Sequence, residues 1–166
     1  MRTVKIEPLT TEQFLPFGFF ANMINPELEK FGEPPIEFYR DMCQQNIGDT
    51  GIVSFSICRV EKRPMVVNVS EYHSRTGEGI LPLDNDVLIH VAPATVPGSQ
   101  VPADKIRIFK VPQGTMVVLR PGIWHHAPYT TTKKPANVLI VLPERAYAND
   151  CVVAEMPTDQ HVGISR

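Results

Sequence analysis

The stretch DVLIHVAPATVPGSQVPADKIRIFKVPQGTMVVLRPGIWHHAPY, residues 86–129, contains short apolar runs separated by segments rich in proline and glycine. The runs are 86–92, 106–111 and 115–121, and VPQGT at 111–115 is typical of a turn. Apolar runs of this length that are bounded by turn residues are typical of β-strands. The stretch therefore predicts strands joined by tight connections, as in an all-β barrel or sandwich.

The same pattern continues on both sides of this stretch, in a chain with 16 prolines and 10 glycines. A Thr10-x-x-Gln13 cap pattern predicts one or two helical turns. Residues 25–35 are interpreted as a long loop, 93–105 as a connector, and 36–46 as either strand or helix. Eight or more short strands with little helix predict a double-sheet jelly roll or a small barrel. The predicted strands are 4–9, 51–60, 65–73, 79–83, 86–92, 106–111, 115–121, 137–144 and 151–156.

The length of 166 residues predicts one domain. Within it we expect an N-terminal strand, short helix and loop over 1–50, a barrel over 51–156 and a tail over 157–166. The net charge of −2 argues against a nucleic-acid binder, which would need a basic face, and gives no reason to expect an anionic membrane as partner.

The three cysteines are an odd number and form no CxxC pair, which disfavours a disulfide framework or a zinc knuckle. The first residues alternate and carry charges, unlike a signal peptide. No apolar run approaches the ~18 residues that a membrane span needs. We therefore expect a soluble protein of the reducing cytoplasm.

Two segments concentrate ionisable groups at predicted strand ends, namely SEYHSRTGEG at 70–79 and PGIWHHAP at 121–128. Glu71 and His73 are two residues apart, so a strand places both side chains on one face. Glu78 follows a glycine turn and can fold back, and the Pro-Gly corner orients His125. Two imidazoles and two carboxylates suit a Mn, Fe or Ni site better than a thiol-rich zinc site.

The residues by themselves also permit simpler interpretations of these groups. Glu71 could pair with His73 or with Arg75, and one of the two adjacent histidines, here His126, could face outward. Trp124 is more often a core residue than part of a ligand site. His90 is interpreted as a hydrogen-bonded core histidine, and His161 as uninformative.

Arg59 and Arg120 are the candidates for bidentate recognition of a substrate carboxylate, because they lie at the ends of predicted strands. The alternative for each arginine is a surface ion pair, which contributes little to stability.

The spacing Glu71-x-His73-x4-Glu78 resembles the first cupin motif, with Glu71 in place of the first histidine. Pro121-Gly122-x-x-His125 resembles the second motif. Over most of its length the chain resembles the ureidoglycolate lyase family of small cupins. The resemblance rests on the segments IEPLTTEQFLPFG (6–18), SFSICRVEKRP (54–64), VSEYHSRTGEGILPL (69–83), VLIHVAPA (87–94), PQGTMVVLRPGIWHHAPY (112–129) and VLIVLPERAYANDC (138–151).

The resemblance implies a cupin-type double-stranded β-helix and a homodimeric enzyme of purine degradation that splits ureidoglycolate into glyoxylate and urea. It also implies a divalent metal, commonly nickel; Mn, Fe and Zn are the other metals to consider, and without a metal the pocket is a carboxylate site. Glu71, His73, Trp124 and His125 fall on matching positions. The apolar segment QFLPFGFF (13–20) is then a candidate dimer contact.

The implied reaction suggests a role for each of these residues, and Glu78 adds a metal ligand that the family lacks at this position. Glu71 or His125 acts as base where it is not a metal ligand, and His73 acts as acid or metal ligand. Substrate contacts come from Arg59, Arg120, Trp124 and His126, and the tentative metal ligands are Glu71, His73, Glu78 and His125.

Val118 and Leu119 stand where the family carries polar groups, which leaves two alternatives open. One is a metal-dependent cupin that acts on another small hydroxy- or keto-acid. The other is a cupin without enzymatic activity that binds a small carboxylate.

Overall fold

In the computed structural model, which describes residues 1–165, the chain is built almost entirely from short strands. The strands are β1 (Arg2–Pro8), β2 (Gly18–Asn22), β3 (Lys30–Phe31), β4 (Phe38–Tyr39), β5 (Val53–Val60), β6 (Val66–Val67), β7 (Val69–Tyr72), β8 (Glu78–Pro82), β9 (Val87–Val91), β10 (Arg107–Val111), β11 (Thr115–Leu119), β12 (Tyr129–Thr130), β13 (Ala136–Pro143), β14 (Val152–Glu155) and β15 (Val162–Ser165). The helical segments are α1 (Thr11–Phe14), α2 (Ala146–Asn149) and the 3₁₀ turns Ala103–Lys105 and Thr158–Gln160.

Two main sheets form the body of the molecule. One has six strands in the order β12-β9-β10-β1-β15-β6, and the other has five in the order β2-β11-β8-β13-β5. Strand β1 runs parallel to β10 and β15, and the other pairings within these sheets are antiparallel. The expected all-β, cupin-type jelly roll is confirmed.

The strand β9 separates two hydrophobic cores because both of its faces are buried. Val87, Ile89 and Val91 face the first core, which lies between the two sheets. Leu88 on the other face belongs to a second core, to which β7 also contributes Tyr72. A strand covered on both faces has a continuous apolar run rather than an alternating one, which accounts for the sequence of β9.

The two ends of the described chain lie inside the six-stranded sheet. β1 pairs with β10 on one side and with β15 on the other. Segments 1–50 and 157–166, which the sequence analysis placed outside the barrel, therefore supply β1, β2 and β15 to the sheets. Strand β15 was missed because its four residues VGIS carry little pattern.

Other local predictions differ in detail from the structure. The predicted strand 65–73 is interrupted at Asn68, which gives β6 and β7. The predicted loop 25–35 contains β3, which forms a small hairpin with β4. Strand β2 was not predicted either, although it pairs along its whole length with β11.

The helix α1 begins as its cap pattern predicts, since the Thr10 side chain accepts a hydrogen bond from the Gln13 N–H. Phe14 at the end of α1 and Phe17 after it are buried in the first core, where both rings contact Phe109. The barrel itself thus covers much of the segment 13–20 that was considered as a dimer contact. Leu15 and Phe19 remain exposed in this segment.

No helix in the described part of the chain is both long and apolar enough to cross a membrane.

Candidate active site

Glu71 and His125 are brought side by side by a short backbone pairing. The Glu71 N–H donates to the His125 carbonyl at 2.6 Å, and the His125 N–H donates to the Glu71 carbonyl at 2.8 Å. Two residues that exchange both backbone bonds in an antiparallel pair project their side chains from the same face. His73 follows on the same face of the chain, two residues after Glu71.

The Pro121-Gly122 corner holds the strand of His125 against the end of β7. Gly122 adopts a positive φ of 81°, which glycine tolerates better than other residues. The His73 and His125 rings consequently lie with their centroids 5.5 Å apart. Atoms of Glu71, His73 and His125 that can bind a metal all lie within 4.8 Å of one another.

Glu78, the first residue of β8, completes this cluster. It is 7% exposed, and its Oε2 lies 3.0 Å from His73 Nε2 and 2.8 Å from His125 Nε2. The turn at Gly77 therefore folds Glu78 back toward the two histidines, as its position in the sequence had suggested. We call Glu71, His73, Glu78 and His125 the acid–imidazole cluster.

The other ring nitrogen of each histidine is committed to a backbone carbonyl. His73 Nδ1 contacts the Asp150 carbonyl, and His125 Nδ1 lies 2.8 Å from the Ile123 carbonyl. Each Nδ1 must carry a proton to donate these bonds, which leaves a lone pair on each Nε2 of a neutral ring. Two such lone pairs and a carboxylate oxygen then converge, and only a cation or extra protons can satisfy them.

This donor set fits a divalent metal ion. Imidazole nitrogens and carboxylate oxygens are suitable ligands for Mn, Fe, Ni and Zn. Backbone carbonyls that accept the outer N–H of ligating histidines are the usual arrangement around protein-bound metals, because they fix the tautomer. The cluster can therefore hold a metal, and its residues do not identify which one.

Without a metal the cluster is an ion pair. Burial alone raises the pKa of Glu78, but the charges and hydrogen bonds of His125 and His73 outweigh burial and lower that pKa to about 2. Burial lowers the pKa of His125, but the Glu78 carboxylate outweighs this and raises it. A proton on His125 thus occupies the role that a metal cation would take.

Two protonated groups lie on the outer side of the cluster. The Cys151 thiol donates to Glu71 Oε2 at 3.5 Å, and burial together with the Glu71 charge raises the pKa of Cys151 to about 12. The Tyr147 ring lies 6.5 Å from the His73 ring, and burial and the acidic neighbours raise the Tyr147 pKa to about 12. Both groups stay protonated at neutral pH.

Three residues around the cluster were not predicted from the sequence, namely Tyr147, Asp150 and Cys151. The segment ERAYANDC (144–151) contains α2 and the residues on either side of it, and its position over the cluster depends on tertiary packing. Asp150 also anchors the chain after β7, since its carboxylate accepts bonds from the Ser74 N–H, the Ser74 hydroxyl and the Arg75 N–H.

The structure does not bring the two predicted arginines to the cluster. Arg59 is exposed on the outer face of β5 and donates to Asn137 Oδ1 at 3.3 Å. Arg120 donates to the Leu15 carbonyl and lies 4.2 Å from the centre of the Phe19 ring. Alternation along β5 turns Arg59 outward, and the corner that orients His125 begins only after Arg120.

Trp124 and His90 belong to the second core. Trp124 is 1% exposed, packs against Tyr72 and donates to Thr95 Oγ1. Its side chain therefore faces away from the cluster, whereas the sequence predicted a substrate contact. His90 contacts the Ser70 hydroxyl at 3.0 Å through Nε2, which agrees with its interpretation as a core residue, although its Nδ1 has no partner among the described residues.

His126 is half-buried, and its Nδ1 has no hydrogen-bond partner among residues 1–165. Burial lowers its pKa, and the Arg63 charge acts in the same direction, while Glu71 opposes them. Arg63, which the sequence analysis did not single out, donates to the carbonyls of Ala127 and Pro128 immediately after His126.

Comparison with known proteins gives concordant results. A family model described as ureidoglycolate lyase matches residues 1–163. A ureidoglycolate lyase of Stutzerimonas stutzeri is 27% identical over 158 residues, which cover 91% of this chain and 88% of that protein. A ureidoglycolate lyase of Pseudomonas aeruginosa is 29% identical over 148 residues, which cover 85% of this chain and 83% of that protein.

A solved structure of a dTDP sugar isomerase from Desulfovibrio desulfuricans superposes with a TM-score of 0.51 and 14% sequence identity. The match covers 86% of this chain and 87% of the isomerase. At this identity the similarity supports the fold alone.

Proposed function

The chain belongs to the ureidoglycolate lyase family, and we propose that it splits ureidoglycolate into glyoxylate and urea at the acid–imidazole cluster. The observation that carries the proposal is the convergence of two histidine Nε2 atoms on one buried carboxylate oxygen, beside a half-buried second carboxylate. Such a cluster can bind a divalent metal and move a proton, and the cleavage of a carbinol-urea requires proton movement.

The reaction moves one proton from the substrate hydroxyl to the urea nitrogen, with no net gain or loss of protons. The substrate hydroxyl loses its proton, its oxygen forms the carbonyl of glyoxylate, the carbon–nitrogen bond breaks, and the urea nitrogen takes a proton. Glu71 suits both transfers, because its carboxylate lies on the accessible side of the cluster and can accept the hydroxyl proton and return it to the urea nitrogen. The Cys151 thiol stays protonated and orients Glu71 Oε2.

The metal would be held by His73 Nε2, His125 Nε2 and the Glu78 carboxylate, which leaves the Glu71 carboxylate to move the proton. When bound it would lower the pKa of the substrate hydroxyl as a Lewis acid. The backbone carbonyls of Asp150 and Ile123 keep both imidazoles in the tautomer that presents Nε2. Of the residues predicted to contact the substrate, His126 remains a candidate in place of Arg59 and Arg120, because its half-buried ring has an Nδ1 without a hydrogen-bond partner among residues 1–165.

The chain is proposed to act as a homodimer. On β5, Ser56 and Cys58 pair with the buried Ile140 and Val138 and face the barrel, whereas the alternate residues Phe55 and Ile57 point outward and are 71% and 57% exposed. An edge strand with its large apolar side chains outward favours a partner. The outer face of β5 is therefore a better dimer contact than segment 13–20.

The three cysteines occur as free thiols, which supports the proposal of a cytoplasmic enzyme that completes the breakdown of a purine-derived urea compound. Neither alternative from the sequence, another hydroxy- or keto-acid substrate or a carboxylate binder without activity, is favoured by the named relatives.

The proposal is tested by measuring glyoxylate and urea release from ureidoglycolate with purified protein whose metal content is known from elemental analysis. We expect near-stoichiometric metal and both products in equal amounts. A protein that binds glyoxylate but consumes no ureidoglycolate with Ni, Mn, Fe or Zn would contradict it.

A further inference from the structure

A cavity of about 400 Å³ opens at one end of the second core, away from the acid–imidazole cluster. None of the four cluster residues lines it. Its floor is apolar and comes from β1, β9, β15 and the residue before β6. The floor residues are Ile6, Leu88, Ile164 and Met65.

The rim of this cavity is cationic. Lys62, Arg63 and Lys133 line it, and no carboxylate does. None of these three cations forms an ion pair with any residue from 1 to 165. The neighbouring threonine hydroxyls already donate to backbone carbonyls, as Thr130 does to Lys134 and Thr131 to Asp86. The positive charge at the rim is therefore available to an anion.

Arg63 is held rigidly at this rim. Its guanidinium lies 3.9 Å from the centre of the Tyr129 ring and donates to the carbonyls of Ala127 and Pro128. Its Nε is buried and has no hydrogen-bond partner among the described residues. A fixed cation loses little conformational freedom when it binds an anion, because ordering of the side chain has already occurred.

We propose that this cavity is a second ligand site, which binds a small carboxylic acid with an apolar tail. The tail lies on the floor formed by Ile6, Leu88, Ile164 and Met65, and the carboxylate lies at the rim of Lys62, Arg63 and Lys133. Small-molecule sites in proteins commonly combine such an apolar floor with a few polar groups that fix orientation, and the volume lies in their usual range. The site differs from the acid–imidazole cluster, which has histidines and carboxylates and suits a short polar substrate.

Isothermal titration of the full-length protein with octanoate tests the proposal. Octan-1-ol carries a similar tail without the charge, and acetate carries the charge without the tail. We expect saturable binding of one octanoate per chain, and affinities at least about tenfold weaker for both comparison compounds. The absence of saturable octanoate binding, or equal binding of octan-1-ol, would overturn the proposal.

Variants distinguish binding in this cavity from nonspecific attraction of octanoate to surface lysines. Lys133→Gln and Lys62→Gln should each weaken octanoate binding, whereas Lys134→Gln is the matched control, since Lys134 is exposed and does not line the cavity. Met65→Trp, which fills the floor, should abolish binding while all rim charges remain. Unchanged binding in Met65→Trp, or an equal loss in Lys134→Gln, would refute the assignment, provided that thermal unfolding shows the variants folded.

Discussion

The Gly122 N–H donates a hydrogen bond to the His73 carbonyl at 2.6 Å, so the corner before His125 is attached directly to the end of β7. This bond links the two segments that supply the imidazoles of the acid–imidazole cluster. It requires the positive φ of 81° at Gly122, and a Cβ at this position would lie 3.0 Å from the Ala94 Cβ.

Gly122→Ala should therefore weaken both stability and metal binding. A residue other than glycine with positive φ costs about 1–3 kcal/mol, and the contact with Ala94 moves the corner away from His73. Urea denaturation and metal titration measure the two effects. Gly98→Ala is the matched control, because Gly98 also has a positive φ, of 84°, but nothing lies within 4 Å of its added Cβ. We expect Gly98→Ala to lower stability and to leave metal affinity unchanged.

His73→Ala and His125→Ala should each remove the metal and the lyase activity, because each deletes one of the two converging Nε2 atoms. The expected loss in kcat/KM is larger than the ~10–100-fold seen when only the outer hydrogen-bond partner of a ligand is removed. Elemental analysis measures the metal content, and a glyoxylate assay measures the lyase activity. Arg59→Gln should keep full activity, since Arg59 lies on the outer face of β5. Loss of activity in Arg59→Gln with a normal metal content would show that the substrate reaches that face.

Asp150→Ala should lower metal affinity about 10–100-fold without removing any ligand. The Asp150 carboxylate fixes the backbone at Ser74 and Arg75, and its carbonyl accepts the His73 Nδ1–H. Competition with a chelator measures the affinity. Asn149→Ala changes the exposed preceding residue and should have no effect. Equal affinities in the wild type and Asp150→Ala would mean that the Asp150 carboxylate is not needed to orient His73.

Acidification from pH 6.5 to 5 should destabilise the protein through His90. Burial lowers the pKa of His90 well below 6.5, so the folded state keeps this imidazole neutral while the unfolded chain takes up a proton. Stability then falls as pH decreases below about 6.5, by up to ~1.4 kcal/mol per pH unit for one proton. His90→Gln should reduce this slope in urea denaturation. Ile89→Val, a change without a titrating group in the same strand, should shift stability equally at each pH.

Phe55→Ser combined with Ile57→Ser should convert a dimer into a monomer. The double change removes the two large apolar side chains from the outer face of β5 and adds only small hydroxyls. Light scattering after size-exclusion chromatography gives the mass. Leu15→Ser combined with Phe19→Ser is the control, and it should leave the dimer intact. A wild-type monomer, or a monomer from the control alone, would contradict the assignment of the interface.

The sequence predicted most of the framework. The Thr10 cap, the strands around β5 and β8 to β11, and the spacing of Glu71, His73, Glu78 and His125 follow from local rules: alternation along a strand, proline and glycine at corners, and side-chain capping of a helix. These rules depend on neighbours within a few residues, so they can be applied to the amino-acid sequence alone.

What only the tertiary structure decided depends on contacts between distant parts of the chain. Asp150 lies 77 positions from His73, yet its carbonyl accepts a hydrogen bond from the His73 ring. The outward direction of Arg59 depends on which face of β5 covers the first core. The inward direction of Trp124 depends on the second core. No local pattern reports such pairings, because a strand has two equivalent faces until another element covers one of them. The sequence by itself thus determined the fold class and the candidate site residues, and packing determined which side chains meet.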